Sequence, residues 1–126
     1  VIFRASPEVS WDLGDTGGTV ALRMPAHDVA LELLRLVGPL AVSSANLTGQ
    51  RPAQSVDEAI VQLGEGVGVY LDAGAVGHSF SGSPGSSGST IIDVSSVDAG
   101  GAWRVVRRGV VPIEALVSLL PGEWEG

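Results

Sequence analysis

The chain has 126 residues, 44% of them hydrophobic, which is enough for one domain with a core and too many for a disordered tail. Its seven basic residues are all arginine, and 14 acidic residues set the net charge at −7. That balance argues against gripping duplex nucleic acid by broad electrostatics but leaves room for a small anion held by one or two local arginines. With no cysteine, neither a disulfide framework nor a thiolate metal site can form.

"VIFRAS" predicts a short strand at the very start. A chain that opens inside a strand, without methionine, is expected to be a piece of a larger protein. Residues 7–18 read as loop. "TVALRM" alternates as a second strand that ends at Pro25. "AHDVALELLRLVG" follows with helical spacing: Val29, Leu33, Leu36 and Val37 on an apolar face, Asp28, Glu32 and Arg35 opposite, and Gly38 as the stop. "PLAVSS" is a short apolar run, expected to be a strand in a sheet covered on both faces. Ser55 to Glu58 fits a capping box, predicting a helix to about Leu63 that stops at Gly64.

"VGVYLDAG" predicts another strand, and residues 74–88, rich in Gly and Ser, a mobile loop. "STIIDVS" and "WRVVRRG" read as two strands around a Gly100-Gly101 turn. Pro112 suits the first turn of a last helix with Ile113, Leu116, Val117 and Leu120 on one face; residues 121–126 read as a tail. The whole is expected to be a single α/β domain, residues 1–126, with a mixed sheet. No internal repeat, dinucleotide fingerprint or P-loop is present. No apolar run approaches the roughly 20 residues of a membrane span and no signal peptide is visible, so a cytoplasmic protein is expected. His27 and His78 are too few and too far apart to suggest zinc.

One stretch needs a further reason. In "PLAVSSANLTGQRPAQS", residues 39–55, an apolar run breaks into Ser43, Ser44, Ala45 and Asn46. On the residues alone this is either a turn, made of the usual turn formers, or a site, since small hydroxyl and amide side chains at a strand end can hold a ligand.

Three stretches then fall in register: "VALRMPAH" (20–27), "VSSANLTG" (42–49) and "GSTIIDVS…WRVVRRG" (88–109). In order and spacing they resemble the YrdC-like family, from Val1 to about Ile113. The resemblance implies a twisted open mixed sheet flanked by helices. It implies synthesis of threonylcarbamoyl-AMP from L-threonine, bicarbonate and ATP with release of pyrophosphate. This is the nucleotidyl transfer that supplies N6-threonylcarbamoylation of adenosine 37 in tRNA. The expected partners are those three substrates and the downstream transfer machinery on tRNA, with magnesium accompanying ATP. No membrane and no strong nucleic-acid binding by this chain are expected.

The departures matter as well. The family's N-terminal lysine and arginine have no counterpart, the chain having no lysine, so the domain is expected to be incomplete at its N-terminus and inactive alone. Gly88 stands where the family usually has a glutamate before Ser89-Thr90. Two other readings stay open: a carbamoyl-adenylating carbamoyltransferase module, or a non-catalytic module that binds nucleotide or RNA.

Residue by residue, the resemblance places Arg23, Ser43 and Ser89 on the threonine side. Arg23 would pair with the threonine carboxylate through two parallel hydrogen bonds. Thr19, Ser44, Ala45, Asn46, Ala53, Thr90 and Arg107 would face ATP, with Arg107 at its phosphates. The chemistry brings a carboxylate, a carbamate and a triphosphate together. It therefore calls for arginines and oriented donors more than for an acid–base pair.

Overall fold

A computed structural model describes residues 1–75, 88–120 and 122–125. The chain divides into two units, Val1–Arg23 with Gly82–Gly126, and Met24–Ser81.

The first unit is built on a five-stranded mixed sheet. Its strands are β1 (Ile2–Arg4), β2 (Thr19–Ala21), β3 (Ile91–Asp93), β4 (Trp103–Arg107) and β5 (Trp124–Glu125), in the order β2-β1-β3-β4-β5. β1 pairs antiparallel with β2 and parallel with β3. β4 pairs antiparallel with β3 and parallel with β5. The core sits where Ile92, Trp103 and Ile113 are buried together, with Val94, Val97, Val105, Leu116 and Leu120 packed against them. Ile113 and Leu116 come from α3 (Ile113–Val117), which Pro112 precedes as expected. Its Val117, assigned to the same face, is 46% exposed.

Two residues of the segment read as a tail belong to this sheet. Trp124 lies opposite Trp103, and their rings stack with centroids 5.9 Å apart. Burying Trp103 repays the ordering of β5, because an indole is the largest apolar surface a side chain offers.

The second unit holds α1 (Asp28–Val37) and α2 (Val56–Leu63), the latter followed by a 3-10 turn over Gly64–Gly66. α2 begins as the sequence predicts, with Ser55 Oγ accepting from the Glu58 amide at 3.2 Å. The return contact differs: the Glu58 carboxylate accepts from the Gln54 amide rather than from that of Ser55. α1 buries no residue, and Val29, Leu36 and Val37 of its expected apolar face are exposed.

Two expected strands are not formed. Residues 39–44 and 67–74 run without ladder partners, and Val42 and Val69 are 82% and 74% exposed. A strand exists only through its neighbour, and all five strands of the described residues lie in the other unit. The α/β class with an open mixed sheet and helices nonetheless holds. The Gly/Ser-rich loop lies, apart from residues 74, 75 and 88, outside the described residues. Among those residues no helix is long and apolar enough to cross a membrane.

Candidate functional site

The expected site residues fall on both units: Thr19, Arg23, Ser89, Thr90 and Arg107 on the first, Ser43, Ser44, Ala45, Asn46 and Ala53 on the second.

On the second unit the stretch from Ser43 to Ala53 is a closed loop. The Asn46 amide N–H donates to Ser44 O at 3.0 Å, and Ala53 N–H donates to Ala45 O at 3.1 Å, tying the two ends together. The Asn46 side chain fastens the interior, its Nδ2 donating to Leu47 O and Gln50 O at 2.9 and 3.1 Å. Between them Gly49 takes φ 82°, which a side chain would resist. α2 braces the loop through Gln62, whose Oε1 accepts from Leu47 N–H and whose Nε2 donates to Arg51 O. Beside it lies an open groove of about 420 Å³ lined by Gln50, Arg51, Asp57, Glu58, Val61 and Gln62, with Arg51 paired to Glu58 at 3.3 Å.

The loop therefore presents its small side chains from a fixed backbone. Ser43 and Ser44 are exposed, and their hydroxyls make no hydrogen bond among the described residues. Asn46 Oδ1 is buried and has no hydrogen-bond partner among the described residues. The two carbonyls on Nδ2 fix which way the amide points, so this oxygen is a spare acceptor.

On the first unit, Ser89, Thr90 and Arg107 come together where β3 begins and β4 ends. Arg107 Nε donates to Ser89 O at 2.8 Å, and among the described residues neither terminal nitrogen of its exposed guanidinium has a hydrogen-bond partner. The Ser89 hydroxyl is exposed. Thr90 is half-buried and its hydroxyl is fully committed, donating to Val111 O at 2.8 Å and accepting from Gly109 and Val111 N–H at 3.1 and 3.0 Å. Thr19 Oγ1 donates to Thr16 O at 2.8 Å, and Arg23 is exposed with no carboxylate partner among the described residues.

Two features of this unit escaped the sequence reading. Gly109 is buried, and a Cβ there would strike the backbone of Gly88, Ser89 and Thr90, so only glycine fits. Asp93, also buried, faces Arg104 across β3 and β4, with Arg104 Nη2 2.9 Å from its Oδ2. The Ser95 hydroxyl, the Ser95 amide and the Arg104 guanidinium hold the Asp93 carboxyl down to about 2. An acid in the apolar run "IIDV" facing an arginine in "WRVVRR" was the available signal. Among the described residues no group of three or more His, Asp or Glu converges as a metal site.

The Sua5/YciO/YrdC family model, described as "Telomere recombination", matches residues 1–109. A relative from Mycobacterium tuberculosis, provisionally named a threonylcarbamoyl-AMP synthase, is 49% identical over 115 residues, covering 91% of this chain and 48% of its own. "Threonylcarbamoyl-AMP synthase" of Rattus norvegicus is 31% identical over 125 residues, 98% of this chain and 42% of its own. The human protein of that name is 29% identical over 125 residues, 98% of this chain and 43% of its own. The chain thus spans about half the length of the curated relatives it matches. No solved structure matches at a significant level.

Proposed function

The chain belongs to the Sua5/YciO/YrdC family, and on that premise we propose that the whole protein is a threonylcarbamoyl-AMP synthase using L-threonine, bicarbonate and ATP. The observation that carries this reading is the reach of the family match, residues 1–109, which takes in every assigned residue from Thr19 to Arg107. The names of the relatives favour a threonylcarbamoyl-AMP synthase, and the three substrates are those the family resemblance implies.

In that reaction the threonine amine adds to carbon dioxide drawn from bicarbonate and loses a proton, giving a carbamate. A carbamate oxygen then bonds to the α-phosphorus of ATP, and pyrophosphate leaves. Arg23 holds the threonine carboxylate, with Ser43 and Ser89 as further donors. Ser44, Ala45, Asn46 and Ala53 line the nucleotide with hydroxyl, amide and backbone groups, Thr19 adds its oxygen, and Arg107 offers the terminal nitrogens of its guanidinium to the phosphates. A pinned backbone needs no reorganisation as charge moves toward the leaving pyrophosphate. Magnesium would travel with the triphosphate, where it neutralises charge. The adenylate is consumed by the machinery that modifies adenosine 37 of tRNA.

The test is pyrophosphate release by the full-length protein from labelled ATP, with threonine and bicarbonate each omitted in turn. Release that needs both is expected, and the 126-residue chain assayed beside it should give little, having no lysine to help gather three anionic groups. Dependence on carbamoyl phosphate would make the protein a carbamoyltransferase module instead. Nucleotide binding without turnover would make it a binding module.

A further inference from the structure

The ladder between β3 and β4 fails at one end in a definite way. Ile92 lies opposite Val105, but Ile91 lies opposite Arg107, so Val106 is an extra residue and a bulge interrupts the pairing. Beyond a bulge the backbone amides and carbonyls lose their regular partners and must find others. Here the Thr90 side chain supplies them. One hydroxyl has one proton to give and two lone pairs to fill, and Thr90 spends all three on the backbone of Gly109 and Val111.

The same junction is closed from the other side. Val110 N–H donates to Gly88 O at 3.0 Å, and Gly109 lies so close to residues 88–90 that no side chain fits between. The Arg107 guanidinium donates to Ser89 O and lies where a Cβ added at Gly88 would meet it at 3.5 Å. The exposed side chains of Ser89 and Arg107 are thus displayed by backbone that the Thr90 hydroxyl fastens.

We propose that Thr90 is a positioning residue: its hydroxyl, spent on Gly109 and Val111, locks residues 88–90 to residues 107–111 and fixes where Arg107 meets an anion. It has no donor or acceptor left for a phosphate, so it acts through Arg107 rather than by touching the ligand. The lock stands on the geometry alone; its effect on ATP rests on the synthase reading.

The experiment compares Thr90→Val, which keeps the shape and removes the hydroxyl, with Thr90→Ser, which keeps the hydroxyl, in the full-length protein. Nuclear resonance reads the Gly109 and Val111 amides and the Arg107 Nε–H, the last a group Thr90 does not touch. In Thr90→Val all three should exchange with solvent at least about tenfold faster. In a folded Thr90→Val, kcat/KM for ATP should also fall about 10- to 100-fold, the scale of an ångström-sized misplacement. That fall should come through the KM for ATP, with the KM for threonine little changed. Thr90→Ser should recover protection of all three groups and stay within about threefold in KM.

A folded Thr90→Val with wild-type Arg107 Nε–H protection overturns the proposal. Should Thr90→Val not fold, Thr90→Ser decides: if it loses the Arg107 signal, the methyl and not the hydroxyl is the lock. The resonance measurements need no turnover, so an inactive wild-type protein would sink the synthase reading and leave the lock to be judged on its own.

Discussion

Ser44 and Asn46 are two residues apart and hold different things. The Ser44 hydroxyl bonds to no described residue, so Ser44→Ala should change stability by less than about 0.5 kcal/mol, as surface substitutions do. Asn46 closes the loop with two hydrogen bonds, and Asn46→Ala should cost about 1–2 kcal/mol. On the proposed synthase reading, both should depress pyrophosphate release by the full-length protein, by roughly 100-fold where each donor or acceptor meets developing charge. Thermal melts beside pyrophosphate assays separate the two effects; equal losses of stability would show that the loop is not fastened by Asn46. Arg23 poses a simpler question, because no described carboxylate holds it. On the proposed reading, Arg23→Ala should weaken threonine binding and affect ATP binding far less, and calorimetric titration of each ligand would reveal the split.

At the scale of elements, what was legible depended on whether the signal was local. α2 carries its own start in Ser55 and its own stop in Gly64, and both ends fall where the sequence put them. Strands carry no such closure. "PLAVSS" and "VGVYLDAG" have the composition of strands, yet pairing depends on residues far away in sequence, and none among those described supplies a ladder. The loop at Ser43–Asn46 was legible as a special place because small polar residues broke an apolar run. The bulge beside Thr90 was not, since nothing in "WRVVRRG" marks which residue is extra.

The β3–β4 pair offers a pH test of its own. Because the Asp93 carboxyl is depressed from 3.8 to about 2, the folded state favours its ionised form. That stabilisation is whole above about pH 4 and drains away as pH falls toward 2. Asp93→Asn should cost about 1–3 kcal/mol near neutrality, and the gap in melting temperature between it and the wild type should narrow steadily below pH 4.

The molecule as a whole distributes its burial unevenly. Among the described residues the buried hydrophobic side chains are Ala59, Ile92, Trp103 and Ile113, and only Ala59 belongs to the unit Met24–Ser81. Local stability follows buried apolar contact. Hydrogen exchange of this chain should therefore find β3 and β4 the slowest segments and residues 39–45 and 67–73, whose amides donate to no described group, nearly unprotected. Comparable protection in both would mean that the second unit gains cohesion from something other than apolar burial.

The stack of Trp103 on Trp124 has a practical side. Two indoles nearly parallel, at 18°, and one of them almost wholly shielded, are an optical dimer. Their transitions should couple and give a paired circular dichroism signal that vanishes when β5 peels away, while Trp11, 55% exposed, emits as a solvated reference within the same chain. Fraying of the last strand can thus be followed spectroscopically with no label, and changing Trp124 to leucine should erase the couplet while leaving the Trp11 emission in place.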